Sequence, residues 1–142
     1  MSADFRQLVE FQKQIERLSE EQVDQFMEAC CKELAARLLA KVIKRTPSDT
    51  GVLRRGWTAG QDQNAATYAN NLSVKKIGGK YQIEIINPVE YASYVEYGHR
   101  TKDHQGWVSG KFMLTISEQE INGSTQAILT KKLNKFMKDV FT

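Results

Sequence analysis

Little in this sequence supports redox, secretory or metal chemistry. Its only cysteines, Cys30 and Cys31, are adjacent. Neighbours on a helix point about 100° apart, so a disulfide between these two is implausible. The pattern predicts two small apolar side chains turned inward instead. Without a disulfide framework, a reducing compartment is the easier assumption. The N-terminus lacks a basic run followed by an apolar core, so no signal peptide is expected. No apolar stretch approaches the ~20 residues that span a bilayer. The expectation is a soluble chain made in the cytoplasm.

Charge of one sign is also scarce. The net charge is +3, and residues 1–45 carry eight acids and eight bases. A nucleic-acid footprint needs a concentrated basic patch. Arg54-Arg55 beside Trp57, and Lys75-Lys76, mix cations with aromatics as single-strand binders do. Lys75 and Lys76 would leave a strand on opposite faces, however, so they form no single stripe. The two histidines, His99 and His104, flank Asp103 without any metal-ligand spacing, and read as exposed loop residues. Serines stand in turns and caps without a nucleophile elbow. Gly78-Gly79 and Gly106/Gly110 match neither a phosphate loop nor a dinucleotide fingerprint. No catalytic residue, metal ligand or cofactor is expected.

What is present is an ordinary globular composition. The 142 residues are 41% hydrophobic and 26% charged, which suits a single domain over residues 1–142 with one core. Leu8, Phe11, Ile15 and Leu18 repeat at helical spacing. Ser19 and Gln22 then form a capping box for a second helix. That helix would bury Val23, Phe26, Met27, Cys30, Leu34, Leu38 and Val42, with acids early and bases late to complement its dipole. Pro47 ends it, because the residue before proline is pushed out of helical geometry. Residues 46–51 are all turn chemistry.

Beyond that turn, Tyr68–Ile77 and Tyr81–Asn87 predict a β-hairpin about Gly78-Gly79-Lys80. Val89–Tyr97 predicts a short helix stopped at Gly98, where a left-handed backbone is needed. His99–Gly110 predicts a long exposed loop, of a length that is usually functional or disordered. From Phe112 onward a stripe of Ile128, Leu129, Leu133, Phe136, Met137 and Val140 predicts a C-terminal helix, which Asn122-Gly123-Ser124 would kink or divide. The fold class expected is α+β: long N-terminal helices and a C-terminal helix on a small antiparallel sheet with a central hairpin.

Three segments carry a resemblance. Thr46–Trp57 (TPSDTGVLRRGW) resembles the TP-x-DTG-x-LR-x-x-W stretch that follows the long helix in a family of phage tail-component proteins. Tyr91–Arg100 (YASYVEYGHR) resembles that family's YA-x-x-VEYG signature, and Gly106–Leu114 (GWVSGKFML) resembles the stretch that opens its C-terminal helix. The family comprises neck or tail-completion proteins of long-tailed phages and prophages. The resemblance implies a structural assembly protein of the virion, not an enzyme, closing a ring, commonly a hexamer, at the head–tail junction. Its partners would be itself and neighbouring head-closure, connector, tail-terminator or tail-tube proteins, with DNA only passing through the channel and no membrane. The candidate interface residues are Arg54, Arg55, Trp57, Tyr94, Glu96, Tyr97, His99, Arg100 and Trp107. Glu96 is a candidate ion-pair partner of Arg54, Arg55 or Arg100, and Trp57 suits a core place as well as an interface. Alternatives are a tail terminator or collar of a contractile phage-like particle, a small nucleic-acid-binding domain, and a hydrolase with a metal on His99, Asp103 and His104.

Overall fold

A computed structural model describes residues 16, 18–47, 51–61 and 63–141. The expected first helix therefore lies outside the described residues, apart from Glu16 and Leu18, and so do Ser48–Thr50 of the turn. The architecture is α+β. In chain order it runs α1 (Glu20–Arg45), α2 (Val52–Gly56), α3 (Ala65–Asn70), β1 (Val74–Ile77), β2 (Lys80–Ile83), α4 (Ala92–Tyr97), β3 (Gly98–Arg100), β4 (Trp107–Ser109) and α5 (Met113–Phe141).

The ends of α1 form as the sequence predicts. Ser19 Oγ accepts the Gln22 N–H at 3.2 Å, and Gln22 Oε1 accepts the Ser19 N–H at 3.0 Å, closing the capping box. Thr46, just before Pro47, leaves the helix with φ −73° and ψ 131°. The buried face is Phe26, Cys30, Ala35, Leu39 and Val42. Leu34 and Leu38, expected in the core, are half-buried, because the core-facing stripe passes through the next residue at each turn.

Among the described residues, two apolar clusters hold the fold together. Ala35, Leu39, Val42, Leu53, Trp57, Ala69 and Met113 form the larger one. Phe26 and Cys30 of α1 meet Leu133 and Met137 of α5 in the second, where Leu18 also packs. These contacts and the ion pairs Lys132–Glu33 and Glu120 with Arg45 and Lys41 run α5 antiparallel to α1. Helix α5 is continuous through Asn122-Gly123-Ser124, so these residues do not divide it. One glycine costs only about 1 kcal/mol in a helix interior, and the apolar contacts on either side outweigh it.

Two further expectations are corrected. Tyr68–Asn70 are helical, not extended: Asn64 Oδ1 accepts the Thr67 N–H at 2.8 Å and starts α3, which packs Ala69 into the core. The sheet is two separate antiparallel pairs, β1–β2 and β3–β4. The first is the expected hairpin, with Gly78 and Gly79 at φ +57° and +78° as a two-residue turn of this hand requires. Its second strand ends at Ile83, short of Asn87. The second pair replaces the long loop expected over His99–Gly110. His99 faces Val108 and Arg100 faces Trp107 in register, so only 101–106 form the connection.

Candidate functional site

The three motifs meet at one junction where α1 ends, α2 turns and α5 begins. Thr46 is buried; its Oγ1 donates to the Val42 carbonyl at 2.6 Å and accepts the Trp57 indole N–H at 2.8 Å. Met113, which opens α5, has its sulfur 3.3 Å from the same hydroxyl. Arg54 reaches back to the carboxyl end of α1, donating from Nε to the Thr46 carbonyl at 2.7 Å and from Nη2 to the Lys44 carbonyl at 3.5 Å. Carbonyls that have no partner within the helix are thereby satisfied by a cation, the sign the dipole favours there. Asn87 Nδ2 donates to the Leu53 carbonyl at 2.8 Å and so caps α2, while β2 has already ended at Ile83, opposite Val74 where β1 begins.

Glu96 closes the other side. It is 5% exposed, and its carboxylate accepts the Leu114 N–H at 2.7 Å, the Thr115 N–H at 3.0 Å and the Thr115 hydroxyl at 2.7 Å. It caps the amino end of α5 instead of pairing with Arg54, Arg55 or Arg100, because free N–H groups at a helix start satisfy a buried carboxylate at shorter range. Lys111 and Phe112 donate to the Val95 and Glu96 carbonyls at 2.8 and 3.0 Å, tying α4 to α5. Gly98, at φ +89° and ψ 175°, lies in a positive-φ region close to glycine's own. A Cβ there would sit 2.4 Å from the Val108 carbonyl oxygen, so the hairpin closes only over glycine.

The nine candidate residues therefore separate. Trp57, 3% exposed, and Glu96 are interior in the chain, Trp57 in the core place that the sequence also allowed. Arg54 is a helix cap. Arg55 is exposed, with its guanidinium lying over Gly51. The other five come together on α4, β3 and β4. Tyr94, Tyr97 and Trp107 are about three-fifths exposed (59%, 62% and 62%). The Tyr94 ring lies 5.8 Å from that of His99, whose buried Nδ1 has no hydrogen-bond partner among the described residues. Arg100 is exposed across from Trp107.

Sequence reasoning missed two members of this face. Phe112 stands edge-on to Tyr97 at 6.3 Å, and Val108 faces His99; both are exposed. The alternation Trp107-Val108-Ser109 was the available signal, but three residues are too short a run to distinguish from a loop. The face is aromatic and apolar with a cationic edge, the composition of a protein contact surface. A patch of this kind has no nucleophile–base pair, and among the described residues no group of His, Cys, Asp or Glu could hold a metal. Burial pushes the Cys30 thiol up to about 11, opposed weakly by the Lys132 charge, so it is not a nucleophile at neutral pH. No helix among the described residues is long and apolar enough to cross a membrane.

A family model described as "Bacteriophage HK97-gp10, putative tail-component" matches residues 9–98, more than half of the chain. Neither the curated proteins nor the solved structures gave a match.

Proposed function

Because the chain belongs to the HK97-gp10-like family of bacteriophage tail components, we propose that it completes the neck of the particle at the head–tail junction, as one subunit of a ring. The single observation that supports this placement beyond the family is the exposure of four large aromatic side chains, Tyr94, Tyr97, Trp107 and Phe112, on and beside the second hairpin. Large aromatic side chains left in water raise the free energy of the isolated chain, and covering them drives association. The α4–β3–β4 unit that presents them is anchored to α5 through Glu96 and the Lys111 and Phe112 amides. The face is thus held in place before any partner arrives, which lowers the ordering cost of binding.

The role is structural, and the reading includes no catalytic step. Arg55, His99 and Arg100 supply polar and cationic contacts around the aromatic centre, and the neighbours are head-closure or connector proteins on one side and tail-terminator or tail-tube proteins on the other. A heterologous contact that closes by rotation makes such a ring. Deleting the gene and imaging the lysate tests the placement. The expected result is unjoined heads and tails or tails with defective ends; normal infectious particles would overturn it.

A further inference from the structure

An open groove of about 1270 Å³ lies between α1, α5 and the stretch after β2, lined by Leu34, Leu38, Ile83, Ile85, Leu114 and Ile121 among others. Along one wall, residues 84–87 continue β2 as extended chain with alternating exposure, and Ile86 is 57% exposed. Their backbone groups make no main-chain hydrogen bond among the described residues. An extended segment with unpaired N–H and C=O groups beside an apolar trough is what strand addition uses: the main chain supplies affinity and the trough takes alternate side chains.

The hairpin has the matching features. All three residues of β4 are exposed, and it pairs only with β3, so its outer edge is open among the described residues. Cross-strand partners share a face, so Trp107 and Arg100 project from one side and Val108 and His99 from the other. The charged residues lining the groove are the carboxylates Glu84 and Glu118 and the cation Lys75. Glu84 and Glu118 make no ion pair among the described residues. The Trp107–Arg100 face thus complements an apolar trough with an excess of negative charge, while the Val108–His99 face lies on the side of Tyr94.

We propose that the occupant of this groove is the β3–β4 hairpin of a second copy of the chain, with β4 adding as a strand alongside residues 84–87 and Trp107 seated in the trough. The knob and the socket are different surfaces, so the contact is head-to-tail and repeats from copy to copy. This rests on the reading of the chain as a self-assembling subunit and names the surface that receives Trp107.

Cys31 lines the groove and provides the test without altering it. Ser109 shares the Trp107 side of β4, so Ser109→Cys places a thiol on the inserted face and leaves the tryptophan intact. Mild oxidation of the concentrated full chain at alkaline pH, where the Cys31 thiol ionises despite burial, is expected to give a ladder of covalent dimers and higher species. The ladder should vanish in Ser109→Cys/Cys31→Ser and be weak in Val108→Cys, which points the other way. Trp107→Ala, folded by circular dichroism, should weaken self-association by at least about tenfold in sedimentation, as loss of an aromatic anchor does. Oligomers without the ladder, a ladder that survives Cys31→Ser, or one equally strong from Val108→Cys would overturn the groove contact and leave the neck assignment standing. A chain monomeric at every concentration, or cross-links from the Ser109→Cys variant only to another particle protein, would overturn it as well. Normal particles from the gene deletion would overturn the neck assignment instead.

Discussion

Thr46 Oγ1 stands at the crossing of two hydrogen bonds and a sulfur contact, and its residue is 1% exposed. Trp57→Phe removes the indole donor and part of the ring, leaving the buried hydroxyl one partner short. The expected loss is about 1–3 kcal/mol in urea unfolding, with self-association unchanged at temperatures where the variant is folded. Glu96→Gln keeps the volume but turns an amide N–H₂ toward N–H groups that need an acceptor, and should cost about 1–3 kcal/mol in the same measurement. Glu120 behaves differently because it is solvent-accessible. Its hydrogen bonds to Arg45 and then Lys41 lower its pKa from 4.5 to about 2. A folded-state pKa below the unfolded one gives stability that is fully present above pH 4.5 and fades as pH falls toward about 2. Thermal midpoints of the wild type and Glu120→Gln should therefore differ near neutrality and converge at the acid end of that window.

At the scale of the element, most boundaries follow from local chemistry, and the exceptions have identifiable causes. Helix α1 was legible through its capping box, its charge order and Pro47. The α5 stripe was legible too, and its passage through Gly123 makes a simple prediction. A Cβ at Gly123 would meet nothing within 4 Å, so Gly123→Ala should stabilise by about 0.5–1 kcal/mol, read from the denaturation midpoint. Gly98→Ala should do the reverse, since the new Cβ would meet the Val108 carbonyl oxygen at 2.4 Å. Lost pairing would appear as faster amide exchange at Lys111 and Phe112 as the α4–α5 tie loosens. Tyr68 was misread because an aromatic ahead of Val74 suits a strand, while the Asn64 cap lies upstream of the apolar pattern. The β3–β4 pair escaped because three-residue strands carry almost no periodicity, and the 101–106 connection between them is polar.

Across the whole molecule, the sequence motifs mostly build the framework, and the aromatic residues left exposed form the surface proposed for contact. The TP…W segment, Glu96 and the α5 opening converge on one junction that sets the angle between α1, α5 and the second hairpin. This division separates two kinds of variant. Core changes such as Leu39→Ala, at a side chain 0% exposed, should cost about 2–5 kcal/mol and reduce assembly only by unfolding the subunit. Tyr94→Ala with Tyr97→Ala should leave the unfolding midpoint nearly unchanged while particles fail to join, scored by imaging and infectivity.

The sequence by itself determined the α+β class, the long helices with the caps of α1, the first hairpin with its glycine turn, and the family, because these depend on periodicity, capping and turn chemistry within a few residues. Tertiary structure alone decided that Trp57 and Glu96 are interior, and that Tyr94, Tyr97, Trp107 and Phe112 are left exposed around the second hairpin. It also decided that Leu34 and Leu38 line a groove. Each of these outcomes depends on which distant segment lies opposite: Trp57 across from Thr46, and Glu96 across from the start of α5. Such a contact is a property of packing, and no local pattern of residues encodes its partner.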